Sequence, residues 1–130
     1  PDKTFHLYGR GEYFKYQTAP KNLSVFQKIF PQSEMPALMS RYRAAILPTR
    51  LDSQGVMMCE IAAVGMPLYV SDLAICREMV GEFKNVGFFD NVSPNFRYEV
   101  QPDSVGAKTH AKKFLSSETT LKELEVYRAK

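Results

Sequence analysis

Short apolar runs of strand type alternate along the chain with stretches of helical spacing. Thr4-Phe5-His6-Leu7-Tyr8 is β-prone and stops at Gly9-Arg10-Gly11, where two glycines can take positive φ in a tight turn. Glu12 to Thr18 predicts a short helix, interrupted by Ala19-Pro20-Lys21-Asn22 before a second strand at Leu23-Ser24-Val25-Phe26. Ser33, Glu34 and Pro36 mark a helix start, with Leu38, Tyr42 and Ala45 at helical spacing behind them. Ala44-Ala45-Ile46-Leu47 is small and apolar and is closed by Pro48-Thr49, the pattern of a fully buried parallel strand.

The next unit is the clearest. Gly55 to Val64 predicts a helix, Gly65 stops it as the residue just past its end, and Pro67 follows. Leu68-Tyr69-Val70 is another buried strand, ending at Ser71-Asp72, and a short helix is expected around Arg77 to Val80. Val86-Gly87-Phe88-Phe89 gives a last strand. From Pro102 the pattern is helical and charged, so residues 102–130 read as a C-terminal helical part. Strands alternating with helices at this spacing predict an α/β fold, an open parallel sheet with helices on both faces. Ligands of such sheets bind beyond the carboxyl ends of the strands. The loops at Gly9 to Gly11, Phe26 to Phe30, Pro48 to Gly55 and Ser71 to Ala74 are therefore expected to share one rim.

Size and composition narrow the function. At 130 residues the chain is sized for a single domain, residues 1–130. Hydrophobic residues at 45% and charged residues at 24% exclude disordered and fibrous classes. The net charge of +3 is spread along the chain rather than gathered, which argues against nucleic acid as a partner. Cys59 and Cys76 lack the spacing of a metal knuckle or redox pair and read as small core residues. No apolar run approaches the roughly 20 residues of a membrane span, and no signal peptide opens the chain, so a cytoplasmic location is expected. The chain begins with Pro1 and enters a strand almost at once, which reads as a piece cut from a longer protein.

The chemistry concentrates in Asp52-Ser53-Gln54-Gly55-Val56-Met57-Met58-Cys59-Glu60, where a loop carboxylate and a helical carboxylate lie eight positions apart. A helix starting near Gly55 offers free N–H groups and the positive end of its dipole to an anion such as a diphosphate, and glycine lets the backbone come close. Glu60 then lies about 7 to 8 Å further along the axis, a distance that suits a ribose. Its carboxylate can accept hydrogen bonds from two vicinal hydroxyls. By spacing alone the segment reads first as an ordinary capped helix, with Asp52 as a cap and Glu60 exposed or ion-paired.

The surrounding motifs change that weighting. Ala45-Ile46-Leu47-Pro48-Thr49, then Asp52 to Glu60, then Ala62-Ala63-Val64-Gly65-Met66-Pro67, then Leu68-Tyr69-Val70-Ser71-Asp72 follow in order. This order resembles the donor domain of the retaining glycosyltransferases of the GT-B fold known as glycosyl transferases group 1. Arg77-Glu78, Gly87-Phe88-Phe89-Asp90 and the upstream Leu7-Tyr8-Gly9-Arg10-Gly11 extend the resemblance over roughly residues 3 to 92. The resemblance implies a Rossmann-like half of a GT-B fold that lacks its first strand and helix and its N-terminal acceptor domain. It implies that Glu60 binds the nucleotide ribose and that Asp52, the one catalytic-centre candidate, contacts the donor sugar. Backbone groups around Gln54, Gly55 and Val56 then meet the diphosphate, and Ser53 belongs to the donor site. The base lies near Phe26 and Lys28, and the Gly9-Arg10-Gly11 turn belongs to the donor site. Asp52 stands where the family usually has Glu, and Gln54 where an aromatic residue is frequent.

The implied activity is transfer of a sugar from a nucleotide diphosphate sugar to a glycan or lipid-linked acceptor, in surface polysaccharide synthesis. The acceptor is held by the other domain, and no metal or other cofactor is expected. Peripheral association of the parent with the inner face of the membrane is compatible with this role. A sugar-nucleotide epimerase of the same fold and a non-catalytic nucleotide-sugar-binding module are the alternatives. His6 and His110 have no triad or metal partners nearby in sequence. Ser71 and Asp72 are expected on the rim, with Asp72 as a cap, and Arg77 and Glu78 in ion pairs. Val56, Met57 and Met58 read as core-facing, and Lys108 to Lys130 as a solvated helical pair.

Overall fold

The computed structural model describes residues 3–51, 55–93 and 98–114. It is an α/β protein; among the described residues every strand pairing is parallel, arranged as one sheet of two strands and one of three. The chain divides into two compact units, residues 1–37 and 38–130. The parallel class and the covering helices are those expected, compatible with a Rossmann-like half-domain; the strands are shared between two sheets.

In the first unit β1 (Phe5–Tyr8) pairs with β2 (Leu23–Phe26) from Phe5↔Leu23 to Tyr8↔Phe26. The segment expected as a helix from Glu12 forms successive turns instead. The reason is local: the Tyr13 hydroxyl reaches back to donate to the Arg10 carbonyl at 3.0 Å, folding the chain onto its own glycine turn. The helix expected behind Ser33 is also short. A 3₁₀ turn at Gln32–Glu34 leads into α1 (Met35–Met39), and Tyr42 already lies beyond it.

The second unit holds β3 (Ala45–Leu47), α2 (Val56–Val64), β4 (Leu68–Ser71), α3 (Ala74–Val80), β5 (Val86–Phe89) and α4 (Ser104–His110). The strands lie in the order β3-β4-β5, and all four residues of β4 are buried. A strand enclosed on both faces and both edges must be apolar, as Leu68, Tyr69 and Val70 are. Met58, Cys59, Ile61 and Ala62 of α2, Cys76 and Val80 of α3, and Phe83 complete the core. Both cysteines are buried, as expected of small core residues. Among the described residues no helix is long and apolar enough to cross a membrane.

Two devices set where α2 ends. Gly65 takes the left-handed conformation, φ 85° and ψ 10°, and its N–H donates to the Ala62 carbonyl at 3.0 Å. A Cβ here would lie 2.6 Å from the Ser104 Cα, because the Asp103 N–H donates to the Gly65 carbonyl at 3.0 Å. The fully buried Asn85 side chain donates to the carbonyls of Ala62 and Met66 at 3.1 and 2.9 Å, adding a second bond to Ala62 and a tie to the chain just past the helix. Gly65→Ala combines a left-handed alanine with a backbone clash and is expected to destabilise the fold by at least about 2 kcal/mol. Urea unfolding is the measurement, with the midpoint lowered and the slope unchanged.

Candidate functional site

Parallel pairing brings the carboxyl ends of β3, β4 and β5 to one edge, and the loops leaving that edge are tied together by polar side chains. The Ser71 hydroxyl, fully buried, donates to the Asn91 Oδ1 at 2.9 Å. The Asn91 Nδ2 donates in turn to the Thr49 carbonyl at 2.9 Å. Backbone bonds close the rest of the edge: the Asp72 N–H donates to the Phe89 carbonyl and the Thr49 N–H to the Leu47 carbonyl, at 2.8 and 2.9 Å. The loops after β3 and β4 therefore share this rim, as expected. Ser71 is not a free rim group, because its hydroxyl is buried and engaged.

Gly55 precedes α2 in the left-handed conformation, φ 55° and ψ 41°, and among the described residues no side chain caps the helix. Its carbonyl accepts from the Cys59 N–H at 3.0 Å, closing the first turn. The N–H groups of Val56, Met57 and Met58 precede the first intrahelical donor, the Cys59 N–H, and lie at the positive end of the dipole. Because α2 buries Met58, Cys59, Ile61 and Ala62, its other side carries Val56, Met57, Glu60 and Val64. Val56 and Met57 are 61% and 51% exposed, so the expectation that they face the core is corrected; Met58 alone of the three is buried. A helix apolar nearly all round gives no direction for its buried face, and packing against β4, α3 and α4 decides it. Glu60 is half-buried on that outward side. Asp52, Ser53 and Gln54 lie outside the described residues.

Asp72 does not cap α3. Its carboxylate takes a two-pronged contact from Arg77, Nε to Oδ1 at 2.5 Å and an amino nitrogen to Oδ2 at 2.8 Å, while Leu73 stands at the helix start. The Arg77 guanidinium also lies 4.6 Å from the Phe88 ring centre. The ion pair expected of Arg77 is present, with Asp72 as partner.

The remaining candidates lie together in the first unit. Gly9 and Gly11 have φ of 151° and 154°, and the Gly9 N–H donates to the Phe26 carbonyl at 3.2 Å. Gln27, which sequence reasoning passed over, holds Gly11 at both backbone groups: its Nε2 donates to the Gly11 carbonyl at 2.6 Å and its Oε1 accepts from the Gly11 N–H at 3.3 Å. Arg10 is exposed at the tip of this turn. The Phe26 ring stacks on Tyr8 at 5.0 Å, and the Lys28 ammonium lies 4.2 Å from the Phe30 ring centre. An open groove of about 440 Å³ runs beside the turn, lined by Gly11, Tyr13, Phe14, Lys15, Val25 and Gln27 among others; none of its lining comes from α2. His6 packs edge-on against Phe26, and His110 lies against Phe83. Among the described residues no group of three or more His, Cys, Asp or Glu is placed to hold a metal ion.

Comparison of the chain with family models, with curated proteins and with solved structures finds no match.

The hydrogen bonds and charge of Arg77 hold the Asp72 carboxyl below its ordinary range, and Asp72 in turn raises Arg77. The sign follows from the lowered value. The pair's contribution to stability is complete above the usual carboxylate range and is lost as the pH falls through the lowered Asp72 value. Arg77→Gln is expected to return the Asp72 titration upward to the ordinary carboxylate range, as read by carboxyl carbon NMR between pH 2 and pH 6.

Proposed function

We propose that this chain is the donor-binding part of a glycosyltransferase that takes its sugar from a nucleotide diphosphate. The observation that supports it most is the start of α2. A left-handed glycine follows the loop from β3 and opens a helix of nine residues, with Glu60 on its outward side. The first turn itself, from Val56, holds no acidic residue. A diphosphate placed there meets backbone donors and the positive dipole end, and glycine presents no side chain to keep it away. Glu60, five residues on and about 7 to 8 Å along the axis, then accepts from the two ribose hydroxyls.

The same placement suits transfer. When the sugar's anomeric carbon parts from the diphosphate oxygen, the bonding pair leaves with the diphosphate, while an acceptor hydroxyl supplies the new oxygen and passes its proton to an oxygen of the departing diphosphate. Fixed backbone donors aimed at the leaving group stabilise the charge that develops there. The resemblance assigns Asp52 the sugar contact and a further domain the acceptor, giving a protein of surface polysaccharide assembly. The rim of the second unit is the part of the donor site that the proposal uses.

Calorimetry with UDP, GDP, UDP-glucose and GDP-mannose is the test. At least one is expected to bind, and Glu60→Ala is expected to weaken it tenfold or more, the worth of one or two hydrogen bonds to a carboxylate. Binding of none of the four, or equal affinity in Glu60→Ala, would sink the proposal.

A further inference from the structure

We propose that Met57 is an oxidation site: hydrogen peroxide converts its thioether to the sulfoxide, and the new oxygen competes with a diphosphate for the amides that open α2. The effect on the ligand rests on the donor reading above; the oxidation itself does not. All six methionines of the chain lie among the described residues. Met57 alone is exposed, at 51%; Met58 and Met39 are buried, at 3% and 8%, and Met35, Met66 and Met79 are half-buried. A thioether must meet the oxidant in water, so exposure ranks these sulfurs. Met57 and Met58 are neighbours on one helix with opposite exposure, and both cysteines are buried.

A sulfur lone pair attacks one peroxide oxygen as the O–O bond breaks. The departing hydroxide takes the proton of the transferred oxygen and leaves as water. Sulfur is oxidised and the peroxide reduced, with nothing else consumed. The product replaces a weak acceptor by a strongly polar one. Its oxygen stands as many bonds from Cα as a carboxylate oxygen of glutamate, the acceptor that suits the start of a helix. Met57 is the second residue of α2, and its N–H lies between those of Val56 and Met58, ahead of the first intrahelical donor at Cys59. The first turn holds no acidic residue, and oxidation supplies an acceptor of the same reach there.

The folded chain is treated with hydrogen peroxide and digested with trypsin, whose peptide from Leu51 to Arg77 carries Met57, Met58 and Met66. Tandem mass spectrometry is expected to place the first added oxygen on Met57, about tenfold or more ahead of Met58, and to find the two alike in chain unfolded by guanidinium. Calorimetry then uses whichever of UDP, GDP, UDP-glucose and GDP-mannose the untreated chain binds. Oxidation is expected to weaken affinity about three- to tenfold, the worth of one neutral hydrogen bond, and methionine sulfoxide reductases to restore it. In Met57→Leu the affinities before and after peroxide are expected to agree. Oxidation of Met58 or Met66 as fast as Met57 in the folded chain would overturn the site. Unchanged affinity in the oxidised wild type, or an equal loss in Met57→Leu, would overturn its effect on the ligand. If the untreated chain binds none of the four, the donor reading and that effect fail together, while the mass spectrum still decides the site.

Discussion

The enclosure of β4 between two parallel neighbours governs the second unit. Its four residues are buried, and its register runs from Ala45↔Leu68 on one side and Leu68↔Val86 on the other. Parallel pairing leaves no hairpin option, so each strand must be followed by a crossover before the next. Two such crossovers carry α2 and α3, and all three strands end at one edge. The rim is therefore a consequence of burying β4. Thr49, Ser71 and Asn91 meet there because their strands were forced to finish together.

The position of α2 follows from its far end. Gly65 packs without a side chain against the backbone that begins α4, and Asn85 bonds the carbonyls of Ala62 in the last turn and of Met66 just beyond it. A helix pinned so tightly at its C-terminus cannot slide along the sheet, which places Gly55 and Glu60 relative to the rim. The rim itself is held by neutral hydrogen bonds in which donor and acceptor are matched. Its charged pair, Asp72 with Arg77, is solvent-exposed and is weakened by salt. In the proposed reading an anion at the start of α2 would meet oriented amides, with Arg77 already engaged by Asp72.

Much of this was legible in the chain. Leu23 to Phe26 and Val86 to Phe89 are strands with the expected bounds, because short β-prone runs closed by turn residues leave little choice. Gly65 followed by Pro67 marked the end of α2 for the same kind of local reason. What escaped depends on partners distant in sequence or on packing. Nothing near Asn91 announces that it binds Thr49 and Ser71, and nothing near Gln27 announces its hold on Gly11. Glu12 onward has helical composition, yet the Tyr13 hydroxyl finds the Arg10 carbonyl and turns win. Val56 and Met57 are apolar and exposed, because a helix with apolar residues on nearly every side is oriented by its neighbours. The expected contacts at Asp52, Ser53 and Gln54 fall outside the described residues, and Phe26, Lys28 and the glycine turn belong to the first unit.

The central claim is that the start of α2 receives a nucleotide diphosphate. Titrating isotope-labelled chain with UDP and GDP and following the backbone amides by NMR addresses it most directly. The account predicts saturable shifts greatest at Gly55, Val56, Met57 and Met58, reaching Glu60. Saturable shifts confined to residues outside α2, or no saturable shifts with either nucleotide, would contradict it.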